Sequence, residues 1–220
     1  MRFFATQFCA LALSLLLIPP AFAIDTPLSD EAVRDAYFLG QRHEQDFTDL
    51  MAKYTKTLPM PKTGPDISSI TFLTPFALVA QLSSQRTMGY SAQQAEQDHR
   101  NRPEIVRVII QIQLTPTYGA LVPHPTSPYT DAPSGYDQRP SDFWKDFQVA
   151  ALVKDESIPP VEASGVPTYV CGRHGGCTLT GATLHFDYPA DAFTSDSATI
   201  QIFPPEGDTV SVDFDLASLR

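Results

Sequence analysis

Four potential metal ligands lie within fifteen residues in the C-terminal half of the chain: Cys171, His174, Cys177 and His185. Thiolates and imidazoles are ligands that zinc and copper prefer. However, their spacing matches no familiar zinc finger, and two cysteines in an oxidising compartment favour a bond with each other. We therefore predict a disulfide between Cys171 and Cys177 and no metal or other cofactor. A Cys/His metal-binding protein is the alternative.

A second set of residues has the types that hydrolysis requires. His124, Ser134 and Asp137 supply the imidazole, hydroxyl and carboxylate that a catalytic triad combines. The sequence has no Gly-x-Ser-x-Gly, His-Glu-x-x-His, phosphate-binding or dinucleotide-binding motif. A secreted hydrolase is therefore an alternative hypothesis. We interpret His43 and His99 as solvated histidines on predicted helices.

Aromatic side chains offer a third kind of site. Tyr118, Tyr129 and Tyr136 fall in a proline-rich segment, and Trp144 follows it closely. Such side chains combine rigid apolar area with a polar group, as recognition surfaces do. We predict that they bind a protein or a carbohydrate of the cell envelope. In the alternative, the segment folds back and its rings cover the core.

The first 23 residues have the features of a signal peptide. Arg2 precedes an apolar run at 11–18, and an Ala-Phe-Ala sequence at 21–23 places small residues where a signal peptidase cleaves. The apolar run is shorter than the ~18 to 20 residues that cross a bilayer as a helix. We predict export to the periplasm or the extracellular space, with no membrane span after cleavage. Cleavage also removes Cys9 and leaves an even number of cysteines.

The charge balance excludes one class of partner. The chain has 25 acidic residues against 15 Lys and Arg, a net charge of −10. Nucleic acids and anionic lipid surfaces bind clusters of Lys and Arg, which this sequence does not have. We therefore predict no nucleic-acid partner, whereas attraction to basic partners remains compatible with the charge.

The elements before the proline-rich segment mix helices and strands. Residues 24–58 have apolar positions at steps of three and four, which predicts one or two helices that begin near Ser29. Residues 67–115 predict a strand over 67–83 bent at Pro75, a short helix over 90–100 and a strand over 104–115. Ile105 and Ile109 make the second face of that last strand partly apolar, so we expect another element to cover it.

Residues 116–141 have no periodic pattern and are rich in proline and tyrosine. Long structureless segments are usually functional or act as linkers, and both interpretations stay open here. Residues 142–220 alternate apolar and polar positions and predict strands, with hairpins across 172–176 and 204–208. Arg173 and His174 then lie exposed at the tip of the first hairpin and are further candidate binding residues.

Together these patterns predict an α+β fold, namely a mainly antiparallel Ig-like β-sandwich with an N-terminal helix docked on it. The mature chain, residues 24–220, is predicted to be one domain. The predicted function is that of an exported, non-catalytic binding or scaffolding protein of the bacterial cell envelope. A secreted hydrolase and a Cys/His metal-binding protein are the alternatives.

Overall fold

The computed structural model describes residues 24–42, 45–86, 89–123, 135–173 and 175–220, so the predicted signal peptide at 1–23 lies outside the described residues. The α-helices in these ranges are α1 Asp30–Gln41, α2 Gln45–Lys53, α3 Pro75–Gln85 and α4 Ala92–Arg100. The strands are β1 Thr55–Thr57, β2 Asp66–Leu73, β3 Ile105–Gln113, β4 Leu121–Pro123, β5 Tyr136–Gln138, β6 Gln148–Val153, β7 Glu156–Ile158, β8 Glu162–Cys171, β9 Cys177–Pro189, β10 Ser197–Phe203 and β11 Val210–Asp215. Within the described ranges, no helix is long and apolar enough to cross a membrane.

The strands form two larger antiparallel sheets and a small ribbon. The first sheet has the order β1-β2-β3-β9-β8, and the second has the order β11-β10-β6-β7. Strands β4 and β5 pair with each other alone. The predicted hairpins β8–β9 and β10–β11 are both present. Strand β8, the longer of the two edge strands of the first sheet, is therefore paired on one side only.

Side chains from the two larger sheets meet in one core. Phe72 of β2 stacks on Phe214 of β11, with ring centroids 5.3 Å apart, and Phe193 contacts Phe72 edge-on at 5.2 Å. On β3 every second residue from Val106 to Ile112 is buried, as its alternating pattern predicts. The fold is thus mixed α+β with mostly antiparallel open sheets, and the Ig-like form of the predicted sandwich is not confirmed.

The helices pack in a layer of their own. Helix α1 begins where it was predicted, because the Ser29 hydroxyl accepts a hydrogen bond from the Ala32 backbone N–H at 3.2 Å. Its buried residues Val33 and Ala36 join a second apolar cluster with residues of α3 and α4. The N-terminal helix therefore packs on other helices, and these helices connect it to the first sheet.

The predicted strand over 67–83 is wrong beyond Leu73. Helix α3 begins at Pro75, and the Thr74 hydroxyl caps it by accepting a hydrogen bond from the Ala77 backbone N–H at 3.4 Å. Proline suits the first turn of a helix, because its fixed φ is helical and its missing N–H has no partner to lose there. Within the residues 142–220 that were predicted to form strands, the first element is a 3-10 turn, Phe143–Asp146, and the first strand begins at Gln148.

The proline-rich segment lies between strands of different sheets. Strand β3 of the first sheet precedes it, and β6 of the second sheet is the next strand after it. The described ends of the segment form the β4–β5 ribbon, with Val122 paired to Asp137. Residues 124–134 lie outside the described residues.

One buried carboxyl stands out at the start of β2. Asp66 is 5% exposed, and its Oδ1 atom accepts no hydrogen bond from any described residue. Burial raises the pKa of the Asp66 carboxyl above its ordinary value. A carboxyl with a raised pKa binds more protons in the folded chain than in the unfolded chain. Its contribution to stability therefore falls as the pH rises through that raised pKa.

We expect Asp66→Asn to increase the free energy of unfolding at pH 7 by about 1 kcal/mol, because it removes the charge of a buried carboxyl whose Oδ1 atom accepts no hydrogen bond from a described residue. The gain should shrink as the pH falls below the raised pKa of Asp66, where the wild-type carboxyl is already neutral. Urea unfolding of both proteins between pH 7 and pH 4 measures this difference. A variant that is less stable than the wild type at pH 7 would contradict the prediction.

Candidate functional site

The β8–β9 hairpin ends in the predicted disulfide. The sulfur atoms of Cys171 and Cys177 lie 2.01 Å apart. Between the cysteines, Gly175 and Gly176 have φ values of 87° and 84°, a left-handed conformation that glycine adopts without strain. The backbone N–H of Gly172 donates to the Gly176 carbonyl at 3.0 Å and closes the turn. The disulfide therefore joins the ends of a tight exposed turn.

The alternative Cys/His metal site is not assembled. Both cysteine sulfurs are used in the disulfide, and His185 lies eight residues beyond Cys177 on β9, about 26 Å along the strand. On β9, His185 pairs with Ile109 of β3. Burial, and to a smaller extent the charge of Arg107, lowers the pKa of His185. The described residues contain no group of three His, Cys, Asp or Glu placed to hold a metal ion.

Removing the disulfide should have a moderate effect on stability. The loop that it closes is about seven residues long, and the chain-entropy estimate for so short a loop is about 2 to 2.5 kcal/mol. We expect the double variant Cys171→Ser, Cys177→Ser to lose that much free energy of unfolding in urea. Wild-type protein with a reductant should match the variant, and equal stability of oxidised wild type and variant would exclude a stabilising disulfide.

Strand β8 and the residue before it carry several exposed apolar side chains. Val161 just before the strand and Val166, Tyr169 and Val170 within it are between 46% and 64% exposed. We call these four residues the β8 edge surface. Glu162 is the one charged residue of the strand. No other described strand pairs with this edge, so its outward backbone groups and these side chains are accessible together.

Trp144 supports β8 from the core side. A Cβ atom on Gly165 would lie 2.8 Å from Cε3 of Trp144 and closer still to Cδ2, so the indole packs directly on the glycine backbone. Gly165 pairs with the fully buried Leu184, which places this contact on the core face of the sheet. Trp144 is half-buried and packs against the main core. The indole thus covers Gly165 of β8 and part of the core, and the binding role of Trp144 stays a prediction.

The tyrosines of the predicted binding surface differ in their exposure to solvent. Tyr118 is only 1% exposed, and the Arg139 guanidinium covers its ring at 3.6 Å from the centroid. Tyr118 is therefore not part of an exposed binding surface, because its ring packs with Phe143 and Phe147 in the core. This is the alternative in which the segment folds back.

The other predicted binding residues have different outcomes. Tyr136 on β5 is 69% exposed, and Arg173 is exposed at the hairpin tip. Tyr129 and His174 lie outside the described residues. Neither exposed residue has a described contact that identifies a ligand, so their binding role stays a prediction.

The structure describes only one of the three proposed hydrolase residues. Asp137 lies on the exposed face of the β4–β5 ribbon. His124 and Ser134 lie outside the described residues, so the hydrolase hypothesis also stays a prediction.

The sequence analysis missed a polar cavity between α3, α4 and the start of β3. This cavity has a volume of about 220 Å³, and its walls combine apolar side chains of α3 with charged side chains from the α4–β3 connection. His99 Nε2 lies 2.8 Å from Glu104 Oε1, and the same oxygen accepts the Leu28 backbone N–H at 2.6 Å. Because Glu104 is the acceptor for both, His99 is a donor here, where a solvated surface histidine was predicted.

A second charge pair lies beside this cavity. Arg107 of β3 donates through Nε and Nη2 to the two carboxylate oxygens of Asp187 on β9, at 2.6 and 2.7 Å. This pairing raises the pKa of Arg107. Asp187 is 6% exposed, so the pair is partly withdrawn from water. Ile105 and Arg107 line this cavity together with residues of α3, and Ile105 is partly buried.

A signal for this cavity is visible in the sequence only in retrospect. Arg102, Pro103 and Glu104 directly follow α4, and Ile105 and Arg107 lie on the second face of β3. The pattern indicates a covered strand face but does not identify the covering helix. Comparison with protein-family models, with curated proteins and with solved structures finds no match to this chain.

Proposed function

We propose that this protein is an exported, non-catalytic binding or scaffolding protein of the bacterial cell envelope, and that it binds an extended segment of a partner protein along β8. The observation that carries the proposal is the β8 edge surface, where four large apolar side chains are exposed beside an unpaired strand edge. Export is supported by the disulfide, because disulfides persist outside the reducing cytoplasm.

An edge strand offers two kinds of interaction at once. Its outward N–H and C=O groups can pair with an added strand, and its alternate side chains can fit those of the partner. Proteins usually blunt long edges with charges, prolines or bulges, because free edges aggregate. Strand β8 has Pro167 and an irregular register after Thr168 but only one charge, Glu162. Protection of this edge is therefore incomplete, which supports a partner.

The chemistry of β8 restricts the partner segment. Pro167 has no N–H, so recognition depends on Val166, Tyr169 and Val170 as well as on backbone pairing. Apolar side chains gain free energy by leaving water, at roughly 25 cal/mol per Å² of buried apolar area. The net charge of −10 disfavours an acidic segment. The expected partner is an extended, apolar segment that is neutral or basic.

The test compares two double variants in a pull-down from envelope extract. Val166→Lys with Val170→Lys places two charges on the β8 edge surface. Met60→Lys with Leu121→Lys makes the same chemical change at exposed apolar residues outside β8. We expect the wild type and the second variant to retain the same partner, and the first variant to lose it.

Other outcomes would reject the proposal. Equal retention of the partner by both double variants would place the interaction elsewhere on the molecule. A homodimer that the two lysines on β8 dissociate, measured by light scattering during gel filtration, would identify a second copy as the occupant of β8. That result would exclude the proposed partner segment.

A further inference from the structure

We infer that the cavity between α3, α4 and β3 binds a small anion with an apolar body, of the chemical class of a medium-chain carboxylate. This inference is independent of the β8 proposal, because the 220 Å³ cavity is lined by residues of α3, α4 and β3 and by none of β8. It rests on an arginine of the cavity wall that has no ion pair with a described residue, on the apolar residues of the wall and on the size of the cavity.

One arginine of the cavity wall is left without an ion pair. Asp98 forms an ion pair with Arg86, and Glu104 is hydrogen-bonded to the His99 imidazole. Arg107 is likewise held by Asp187. The remaining cation is Arg102, whose side chain forms no ion pair or hydrogen bond with any residue in the described parts of the chain.

An unpaired guanidinium at a cavity is a suitable anchor for a carboxylate. Arginine presents its donors in a planar fork that matches the two oxygens of a carboxylate. Arg102 is exposed and immediately follows α4, so a ligand can reach it from solvent. An acidic ligand group would therefore gain a charge-assisted contact without breaking an existing ion pair.

Part of the cavity wall is apolar. Leu78 and Leu82 of α3 line it together with Ile105 of β3, and all three are only partly buried. A hydrocarbon chain placed against these residues would cover apolar surface that is now accessible to water. The volume lies below the ~300 to 1,000 Å³ of pockets that hold drug-sized ligands, which favours a small ligand.

A neighbouring cavity shares part of this wall and must be distinguished from it. The second cavity, of about 740 Å³, also contacts His99, Arg102 and Glu104 but is bounded by Val161 instead of by α3. The His99–Glu104 pair thus lies between two cavities. We assign the ligand to the cavity on the α3 side, where Leu78 and Leu82 line the same cavity as Arg102.

The experiment measures binding of octanoate to the purified protein by calorimetry, with 1-octanol as the uncharged probe of equal chain length. We expect octanoate to bind at least about tenfold more tightly than octanol, because a hydrogen bond to a charged group contributes more than one with neutral partners. Arg102→Gln should weaken octanoate binding by at least about tenfold. Arg42→Gln, which removes an exposed arginine outside the cavity, should not change it.

Amide shifts in the NMR spectrum locate the ligand. Octanoate should shift the signals of Leu78 and Leu82, which line only the cavity on the α3 side, and leave that of Val161 unchanged. Equal affinity for octanol and octanoate, wild-type affinity of Arg102→Gln, shifts confined to the Val161 side, or no binding at millimolar octanoate would each overturn the inference. Because the octanol comparison uses the wild-type protein, the test does not depend on the folding of any variant.

Discussion

Replacing Tyr118 with alanine should lower the free energy of unfolding by about 3 to 5 kcal/mol, as is typical when a large buried aromatic side chain is removed. Its ring centroid lies 6.3 Å from that of Phe143 and 6.4 Å from that of Phe147. Because Arg139 closes the outer side of the ring, the cavity left by alanine is bounded on several sides and would not collapse easily.

The matched control is Tyr118→Phe. The Tyr118 hydroxyl is buried and has no hydrogen-bond partner among the described residues, and burial raises its pKa. Removing this hydroxyl should therefore leave stability unchanged or increase it slightly. Urea unfolding followed by circular dichroism measures both variants. Little loss for the alanine variant would mean that Tyr118 is not a core residue and would restore it as a candidate for binding.

Gly40→Ala is expected to have the second largest effect, a loss of about 3 kcal/mol. A Cβ atom at this position would lie 3.0 Å from the carbonyl carbon of Ala80 and closer still to its oxygen. The obstacle is the backbone of α3, which cannot rotate away as a flexible side chain can. Helices α1 and α3 would have to separate, and the buried apolar cluster between them would loosen.

Gly119→Ala is the matched control for this prediction. Its nearest heavy atom would be the Thr115 carbonyl oxygen at 3.6 Å, which is an ordinary contact. We expect Gly119→Ala to unfold at nearly the same urea concentration as the wild type. Helix separation in Gly40→Ala should also reduce octanoate binding, because α3 supplies one wall of the cavity. Equal stability of the two variants would contradict the close packing of α1 on α3.

Local patterns in the sequence were sufficient to predict several of the helices and strands. The alternation along β3 identifies its core face correctly, because one side of the strand is fully buried. The hydroxyls of Ser29 and Ser91 begin α1 and α4, since each accepts a backbone N–H three residues later. The β8–β9 hairpin is also predicted correctly, because glycines between two cysteines are typical of a tight turn that joins two strands.

Other elements depend on contacts that no local pattern contains. The apolar run after Pro75 fits either a buried strand or a buried helix. In the structure it is helix α3, whose apolar side chains pack against those of α1 and α4. Tyr118 and Tyr136 belong to the same proline-rich segment, but one is buried and the other exposed. Their difference arises from Phe143 and Phe147, whose position relative to the segment is a tertiary property.

Neither the β8 edge surface nor the cavity beside α3 could be predicted from the sequence, because both depend on the order of strands in the sheet. The Arg107–Asp187 pair joins residues 80 positions apart, and it forms because β3 and β9 are neighbours in the sheet. Strand β8 lies at an edge only because no later strand pairs with it, and the sequence of β8 does not encode that arrangement. Sheet order is determined by the packing of the whole chain.

Site-specific photo-crosslinking in cells that express the protein tests the β8 proposal most directly. A photoreactive amino acid at position 166 lies within the β8 edge surface, and one at position 60 lies at an exposed apolar residue outside it. We expect position 166 to give an adduct with a second, different protein of the envelope, and position 60 to give none. Absence of an adduct at 166, the same adduct at both positions, or an adduct of twice the chain mass would contradict the proposed binding along β8.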